Sequence, residues 1–185
     1  MPRRIVSSII FLVLTACGTS PIVLAEAGNS DEQKAVLVTG ASSGIGRNLA
    51  ETLAENGYFV FAGARKQADL DALNEIPNIR SVRLDVTKQD QIDAAVETVR
   101  ASGKGLYGLV NNAGVVTLGP ITEIDEDDLK WIFDVNVFGV YRVTKAFAPL
   151  IIESKGRIVN ISSVSYTHLR AHETERLISY AVFCL

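Results

Sequence analysis

The sequence contains few cysteines and little excess charge of either sign. Its 185 residues include two cysteines, Cys17 and Cys184, which stand near opposite ends of the chain. Neither has a partner at the spacing of zinc ligands, so we expect no metal site. The formal net charge of −3 gives no indication of nucleic-acid binding. The sequence also lacks internal repeats and low-complexity tracts.

The remaining composition is that of a folded domain. Hydrophobic residues make up 48% of the chain and charged residues 21%, which is typical of globular proteins. The length suits about one domain. We place this domain at residues 31–163, between an N-terminal segment (1–30) and a C-terminal tail (164–185) of different character.

The N-terminal segment resembles an export signal. Arg3 and Arg4 precede an apolar run, and the first carboxylate is Glu26. A charged start, a short apolar stretch and small residues are typical of signal peptides. "LTAC", which ends at Cys17, resembles a bacterial lipobox, whereas "AEA" (25–27) has the form of an ordinary cleavage site. We therefore expect an exported or membrane-associated protein.

Two other interpretations of this segment stay open. The uncharged stretch 5–25 is long enough for a membrane anchor, although Gly18, Ser20 and Pro21 weaken that interpretation. Alternatively, the start codon is misassigned and the chain begins near Asp31, which would make the protein cytoplasmic.

Short apolar runs alternate with helical patterns from residue 35 onward. Such β-branched runs suit strands of a parallel sheet that is covered on both faces. The alternation predicts an α/β fold, a Rossmann-like doubly wound sheet with right-handed crossovers. Predicted strands are 35–39, 58–62, 79–84, 106–110 and 157–161, and predicted helices are 44–56, 67–75, 88–101 and 126–148. Asp125 is expected to cap the last helix, whose first turn is acidic.

"TGASSGIG" (39–46) ends the first strand and opens the first helix. Gly40 allows a tight turn, while Gly44 and Gly46 let the backbone approach a pyrophosphate and let the helix pack on the strand. Free N–H groups at the helix start would bind the anion. The spacing differs from the general GxGxxG dinucleotide pattern. Taken alone, the segment could also be a ligand-free turn.

Two further motifs follow strands of the predicted sheet. "NNAG" (111–114) supplies side-chain amides that can fix the strand edge and contact a nucleoside. "LDVT" (84–87) places a carboxylate where an adenine amino group could sit. Each has a simpler interpretation, which is an Asn-rich turn for the first and a helix cap at Asp85 or Thr87 for the second.

Together with "DVNVFGV" and "GRIVNISS", these motifs resemble the short-chain dehydrogenase/reductase family over about residues 35–163. The resemblance implies that the chain is part of an NAD(P)-dependent oxidoreductase that acts on a small alcohol or ketone. The motifs resemble the steroid- and retinol-dehydrogenase side of the family, which implies a steroid- or retinoid-like substrate. It implies that Asn136 positions a water and that Ser163 holds the substrate oxygen. It also implies a homo-oligomer for the complete protein. The implied dinucleotide-binding residues are Thr39, Gly40, Ser42, Ser43, Gly44, Ile45, Gly46, Asp85, Val86, Asn112, Ala113 and Gly114.

The second strand indicates which nucleotide is preferred. An acid at its end would bind a ribose 2′-hydroxyl, whereas a basic residue accommodates a 2′-phosphate. Here Arg65 and Lys66 follow the strand with no acid before them. We expect NADP(H), with NAD(H) as the alternative if these residues are merely solvated.

The family's tyrosine–lysine couple is not where the resemblance requires it. The Tyr should follow Ser163 by roughly thirteen residues, with a Lys four residues later to lower its pKa. That position is Arg176. Tyr166 is too close to Ser163, and Tyr180 has Cys184 four residues later in place of Lys. We therefore expect no Tyr-x-x-x-Lys in the chain. We also expect the fragment to be inactive and marginally stable, with its fifth strand left as an exposed edge of the sheet.

The tail itself resembles translated sequencing adapter. Residues 165–174 back-translate as a transposase adapter, and residues 178–185 as the flow-cell end of the same adapter. We hypothesise that residues from about Val164 onward are not native, and ordinary genomic codons in the source DNA would refute this. A catalytically inactive dinucleotide-binding protein is the alternative function, and codons downstream of Ser163 distinguish the two.

Overall fold

The computed structural model describes residues 33–120, 122–162 and 180–184, the last for their backbone alone. Its sheet has six strands in the order β3-β2-β1-β4-β5-β6. The strands are β1 (Ala35–Val38), β2 (Phe59–Ala64), β3 (Ile79–Arg83), β4 (Gly108–Asn111), β5 (Arg157–Ile161) and β6 (Tyr180–Cys184). The helices are α1 (Gly44–Glu55), α2 (Gln67–Asn74), α3 (Gln89–Ala101), α4 (Glu126–Phe133) and α5 (Val140–Glu153).

The predicted doubly wound sheet is confirmed. Strands β1 to β5 are parallel, and every residue of β1 is buried. Ala35 and Leu37 belong to the core cluster with α3 and α5, whereas Val36 and Val38 belong to the cluster with α1 and α2. Because side chains alternate along a strand, an all-apolar strand supplies both faces of the sheet at once.

The expectation of an exposed edge at β5 is wrong for this structure. The backbone of β6 pairs with β5 in antiparallel orientation, with Val159 opposite Val182. The pairing satisfies the outward backbone groups of β5, which would otherwise form an open template for another strand. The unpaired edge among the described strands is that of β3.

The predicted helix 126–148 is longer than expected and is interrupted. A π-helical turn, Asp134–Gly139, separates α4 from α5, and α5 continues through Pro149 to Glu153. A Cβ atom on Gly139 would lie 2.7 Å from a methyl carbon of Val86, so glycine allows the helix to approach the loop after β3. Segment 126–153 has the length and apolarity of a membrane span. Within α5, however, one row of side chains is buried in the core: Val143, Phe147, Leu150 and Ile151.

The predicted cap of α4 is also only half right. Asp125 occupies the N-cap position with extended backbone, but its side chain makes no capping hydrogen bond. Its carboxylate acts with the acidic first turn of α4, where negative charge meets the positive end of the helix dipole.

Candidate functional site

A cavity of about 340 Å³ lies at the carboxyl ends of the strands, where chain order reverses between β1 and β4. Open α/β sheets bind ligands at such a switch point. Most residues predicted to hold the dinucleotide line this cavity. They are Gly40, Ser42, Ser43, Ile45, Gly46, Arg65, Asp85, Val86, Asn112, Ala113 and Gly114, and they are joined by Gly63, Ala64, Leu84, Val115 and Val135.

The three glycines of segment 39–46 serve two roles, one in the turn and one in close packing. Gly40 has φ +64°, and a Cβ there would lie 2.8 Å from the Ala113 Cα atom. Gly44 has φ +57° with open space around it, and it does not line the cavity. A Cβ on Gly46 would overlap the Asn112 amide and the Gly40 carbonyl. Gly46 thus permits close packing inside the protein, while Gly40 and Gly44 permit the turn.

Thr39 and Asn112 join the ends of β1 and β4. The buried Thr39 hydroxyl accepts hydrogen bonds from the backbone N–H groups of Asn112 (2.9 Å) and Ala113 (3.0 Å). The Asn112 amide in turn donates to the carbonyls of Thr39 (3.0 Å) and Gly40 (3.1 Å). Thr39 does not line the cavity, so its predicted role in dinucleotide binding is indirect. It fixes the two loops that form the wall.

A second cavity, of about 360 Å³, lies beside the first. Arg65 and Lys66, the two predicted basic residues, line it with Ser42, Ser43 and Asp69. Arg65 and the two serines also line the first cavity, so the two spaces are adjacent. Two cations and two hydroxyls can hold a phosphate, although the Asp69 carboxylate opposes one.

Asp85 lines the first cavity, and its surroundings favour the carboxylate form. Partial burial favours its neutral form, yet the pKa of Asp85 lies below its usual value of 3.8 because Thr87 hydrogen bonds and the charges of Arg65 and Lys88 outweigh burial. Its Oδ1 accepts from the Thr87 amide (2.9 Å) and hydroxyl (2.7 Å). The helix-cap interpretation is wrong, because Lys88 is the N-cap residue of α3.

Asn136 lies in the π-helical turn, next to the first cavity. Its Nδ2 donates to the Val115 carbonyl at 2.8 Å, and its Oδ1 accepts from the Val115 N–H at 2.9 Å. Both polar atoms of the side chain thus hold the loop after β4. The role of Asn136 in positioning a water stays a prediction. Ser163 lies outside the described residues.

A buried polar contact escaped the sequence analysis. The Asn111 amide donates to Asn160 Oδ1 at 2.8 Å and to the Thr144 hydroxyl at 3.1 Å. Asn111 is buried, so its polar atoms need such partners. The signal available in the sequence was a polar residue at the end of two neighbouring apolar strands, β4 and β5. The contact ties both strands to α5, behind the cavity wall.

The expectation of no Tyr-x-x-x-Lys was wrong. Tyr141 and Lys145 have this spacing, but they precede Ser163 in the chain. Tyr141 is exposed on α5, and the Lys145 ammonium lies 5.6 Å from the centre of its ring. Neither residue lines the two cavities described above. The pair therefore matches the motif in spacing alone and does not supply the missing proton donor.

The family model described as "short chain dehydrogenase" matches residues 34–174. The chain belongs to the short-chain dehydrogenase family. The match runs past Ser163 into the tail that we assigned to adapter. It also spans the glycine loop, the "NNAG" and "DVNVFGV" motifs and β5.

Individual short-chain dehydrogenases match over the same part of the chain. The mitochondrial D-beta-hydroxybutyrate dehydrogenase of Bos taurus is 45% identical over 71% of this chain and 41% of its own. The NADPH-dependent 1-acyldihydroxyacetone phosphate reductase of Schizosaccharomyces pombe is 39% identical over 74% of this chain and 47% of its own. A solved structure of an actinorhodin polyketide ketoreductase with NADPH is 34% identical over 71% of this chain and 53% of its own, with a TM-score of 0.67. The chain thus spans about half the length of these relatives or less.

Proposed function

We propose that this chain is the nucleotide-binding part of an oxidoreductase that moves hydride between NADP(H) and a small alcohol or ketone, with NAD(H) as a weaker alternative. The observation that carries the proposal is the first cavity, which unites the glycine loop, the Asn112–Gly114 segment and Arg65 at the switch point of the sheet. The yeast reductase and the polyketide ketoreductase, whose names include NADPH, support the choice of nucleotide.

The shape of the loop fits a dinucleotide. Ser43 is the N-cap residue of α1 but makes no side-chain capping hydrogen bond, which leaves the N–H groups of the first turn for an anion. Ser42, Ser43 and Ile45 line the cavity at that turn. We place the pyrophosphate there.

The two ends of the nucleotide have separate partners in the proposal. Arg65 and Lys66 would hold the 2′-phosphate in the second cavity, and Asp85 with Val86 would contact the adenine. Ala113 and Gly114 would lie along the nicotinamide half. The bound dinucleotide supplies the hydride acceptor or donor, and this chain's residues bind and orient it.

The catalytic step would need residues beyond the described part of the chain. Ser163 would hold the substrate oxygen, and a Tyr–Lys couple would move the proton. The sequence has no such couple after Ser163. We therefore propose that the 185-residue chain binds nucleotide without turnover. Among substrates, steroid- or retinoid-like alcohols stay a prediction beside the hydroxybutyrate and acyldihydroxyacetone phosphate named for its relatives.

Calorimetric titration of the 185-residue chain with NADPH and with NADH tests the proposal. We expect both to bind and NADPH to bind about tenfold tighter, because charge-assisted hydrogen bonds to the 2′-phosphate are lost with NADH. Arg65→Gln should remove most of this difference. Arg80→Gln, which changes the net charge equally at an exposed site on β3, should not.

Absence of binding by either nucleotide would contradict the proposal. An equal affinity for the two would contradict only the choice of NADP(H). Turnover of an alcohol by the 185-residue chain would refute the predicted lack of activity. If the native codons after Ser163 encode no Tyr–Lys couple, the inactive binding protein becomes the better assignment.

Location and assembly are further parts of the proposal. Residues 1–30, which lie outside the described residues, would direct the protein to a membrane or out of the cytoplasm, and fractionation of cells expressing the chain tests this. Val137, Phe138 and Tyr141 form an exposed apolar face along the π-helical turn and α5, which supports a homo-oligomer. Sedimentation of a Phe138→Asp variant tests that assembly.

A further inference from the structure

Arg83 contacts the loop that carries the two basic residues, yet it lines neither cavity. It is the last residue of β3 and pairs with Ala64, the last residue of β2. Its Nη1 donates to the Arg65 carbonyl oxygen at 2.7 Å, and its Nη2 donates to Gln67 Oε1 at 2.7 Å. The two arms of one planar guanidinium therefore bridge the loop between β2 and α2.

The bridged loop is short. Arg65 and Lys66 are the two residues between β2 and α2, and both are exposed. Lys66 is the N-cap residue of α2 and makes no side-chain capping bond. The Leu84 N–H, just after β3, donates to the Ala64 carbonyl at 2.9 Å, and this main-chain bond lies just before the loop.

The second acceptor of Arg83 is itself fixed. Gln67 Nε2 donates to Asp71 Oδ1 at 2.7 Å, one turn further along α2. A chain of three side chains, Arg83, Gln67 and Asp71, therefore links the edge strand to the first turn of α2. Lysine could not reproduce it, because an ammonium lacks the paired donors of a guanidinium fork.

Long basic side chains lose conformational freedom when they bind a phosphate. A loop whose backbone is already fixed loses less, so the two cations of the second cavity are better prepared for the ligand. The contacts of Arg83 fall on the Arg65 carbonyl and on Gln67, which lie on either side of Lys66. Arg83 thus fixes the backbone from which the Arg65 and Lys66 side chains extend.

We propose that Arg83 is a positioning residue that sets the preference for a nucleotide bearing a 2′-phosphate, acting through Arg65 and Lys66. The inference rests on the proposed function of the cleft. Since NADH lacks the 2′-phosphate, loss of Arg83 should weaken NADPH binding and leave NADH binding nearly unchanged. The effect is therefore one of specificity.

The experiment compares the 185-residue chain with Arg83→Gln, Arg83→Lys and Arg80→Gln. Arg80 is exposed on the same strand, so its replacement is matched in charge and location. We expect Arg83→Gln to weaken NADPH binding about fivefold and NADH binding less than about twofold, since two exposed hydrogen bonds are lost. Arg83→Lys, which keeps the charge but not the fork, should fall between. Arg80→Gln should resemble the unsubstituted chain.

Hydrogen exchange of the nucleotide-free protein gives a second readout. The Leu70 amide, which donates to the Lys66 carbonyl at 3.1 Å, should exchange faster in Arg83→Gln and in Arg83→Lys than in Arg80→Gln, because the loop has lost its bridge. This measurement needs no ligand, so it separates the position of the loop from the chemistry of binding.

Several outcomes would overturn the proposal. Equal loss of NADPH binding in Arg83→Gln and Arg80→Gln would show that the effect comes from net charge alone. Equal loss of NADPH and NADH binding in Arg83→Gln would show that Arg83 has a merely structural role. If Arg83→Gln does not fold, unchanged exchange and unchanged NADPH binding in Arg83→Lys would overturn it. Failure of the unsubstituted chain to bind either nucleotide would instead refute the proposed function, and the inference with it.

Discussion

The Asn136 side chain forms a two-point hydrogen bond with the backbone of Val115, which precedes it by 21 residues. One atom of the amide donates and the other accepts, so the loop after β4 is fixed in both directions. A Cβ on Gly114 would lie 3.6 Å from the Asn136 oxygen, so the contact borders the predicted nucleotide-binding segment. The π-helical turn that carries Asn136 thus sets the position of the cavity wall.

Asn136→Asp should destabilise the fold because a carboxylate cannot donate to the Val115 carbonyl. We expect the free energy of unfolding at neutral pH to fall by about 1 kcal/mol. The loss should shrink at acidic pH, where the protonated carboxyl can donate again. Urea unfolding at the two pH values measures both effects. A loss that is the same at both would show that the donated bond is unimportant.

Thr39→Val should be more damaging, because it removes a buried acceptor without changing the shape of the side chain. The N–H groups of Asn112 and Ala113 would lose their partner, at a cost of about 2 kcal/mol in the free energy of unfolding. Thr39→Ser keeps the hydroxyl and is the control. Equal destabilisation by both substitutions, measured by urea unfolding, would assign the effect to packing instead.

Gly40→Ala and Gly103→Ala separate backbone strain from close approach. The two glycines have φ of +64° and +68°, but only Gly40 has a neighbour, Ala113, within 4 Å of an added Cβ. Gly103→Ala should cost about 1 kcal/mol of stability from strain alone. Gly40→Ala should cost more and also abolish NADPH binding, as it displaces the Asn112–Gly114 segment. Unimpaired NADPH binding by Gly40→Ala would contradict this account.

Asp85→Asn should flatten the dependence of stability on pH in acid. The pKa of Asp85 is lower in the folded chain than its usual 3.8, so its contribution is present above that value and is lost as the pH falls through the folded pKa. The Asn variant lacks this contribution at every pH. Unfolding measured at neutral pH and near pH 3 should therefore differ less in the variant, and identical pH profiles would exclude a role for Asp85.

Salt provides a control for the Asp85 measurement. Part of the lowered pKa comes from the charges of Arg65 and Lys88, which are screened by ions, whereas the Thr87 hydrogen bonds are not. High salt should therefore reduce the difference between the two proteins without removing it.

The sequence allowed the five parallel strands and the first three helices to be predicted to within two residues, whereas the last predicted helix was too short and uninterrupted. Strand β5 matches its predicted bounds, and β1 differs by one residue. These elements are local in origin, because an uninterrupted apolar run makes a buried strand and a 3.6-residue apolar period makes a helix. The π-helical turn has no such local signal, and its last residue, Gly139, packs against Val86, which lies 53 positions earlier.

The candidate site was predicted as a set of residues but not as a set of roles. Thr39, Gly46 and Asn112 were predicted as one group, and the structure shows them bonded or packed against one another. Tyr141 and Lys145 show the converse, since a matching spacing lies on an exposed helix face outside both cavities. Arg83 carried no motif, and only its contacts with Arg65 and Gln67 revealed it.

The sequence by itself determined the order of strands and helices along the chain, the glycine loop at the start of α1 and the basic pair after β2. Each of these depends on neighbouring residues and their backbone preferences. The tertiary structure alone decided which side chains reach the cavity and which ones support it. Those roles depend on contacts between residues far apart in the chain, such as Thr39 with Asn112, and no local pattern records them.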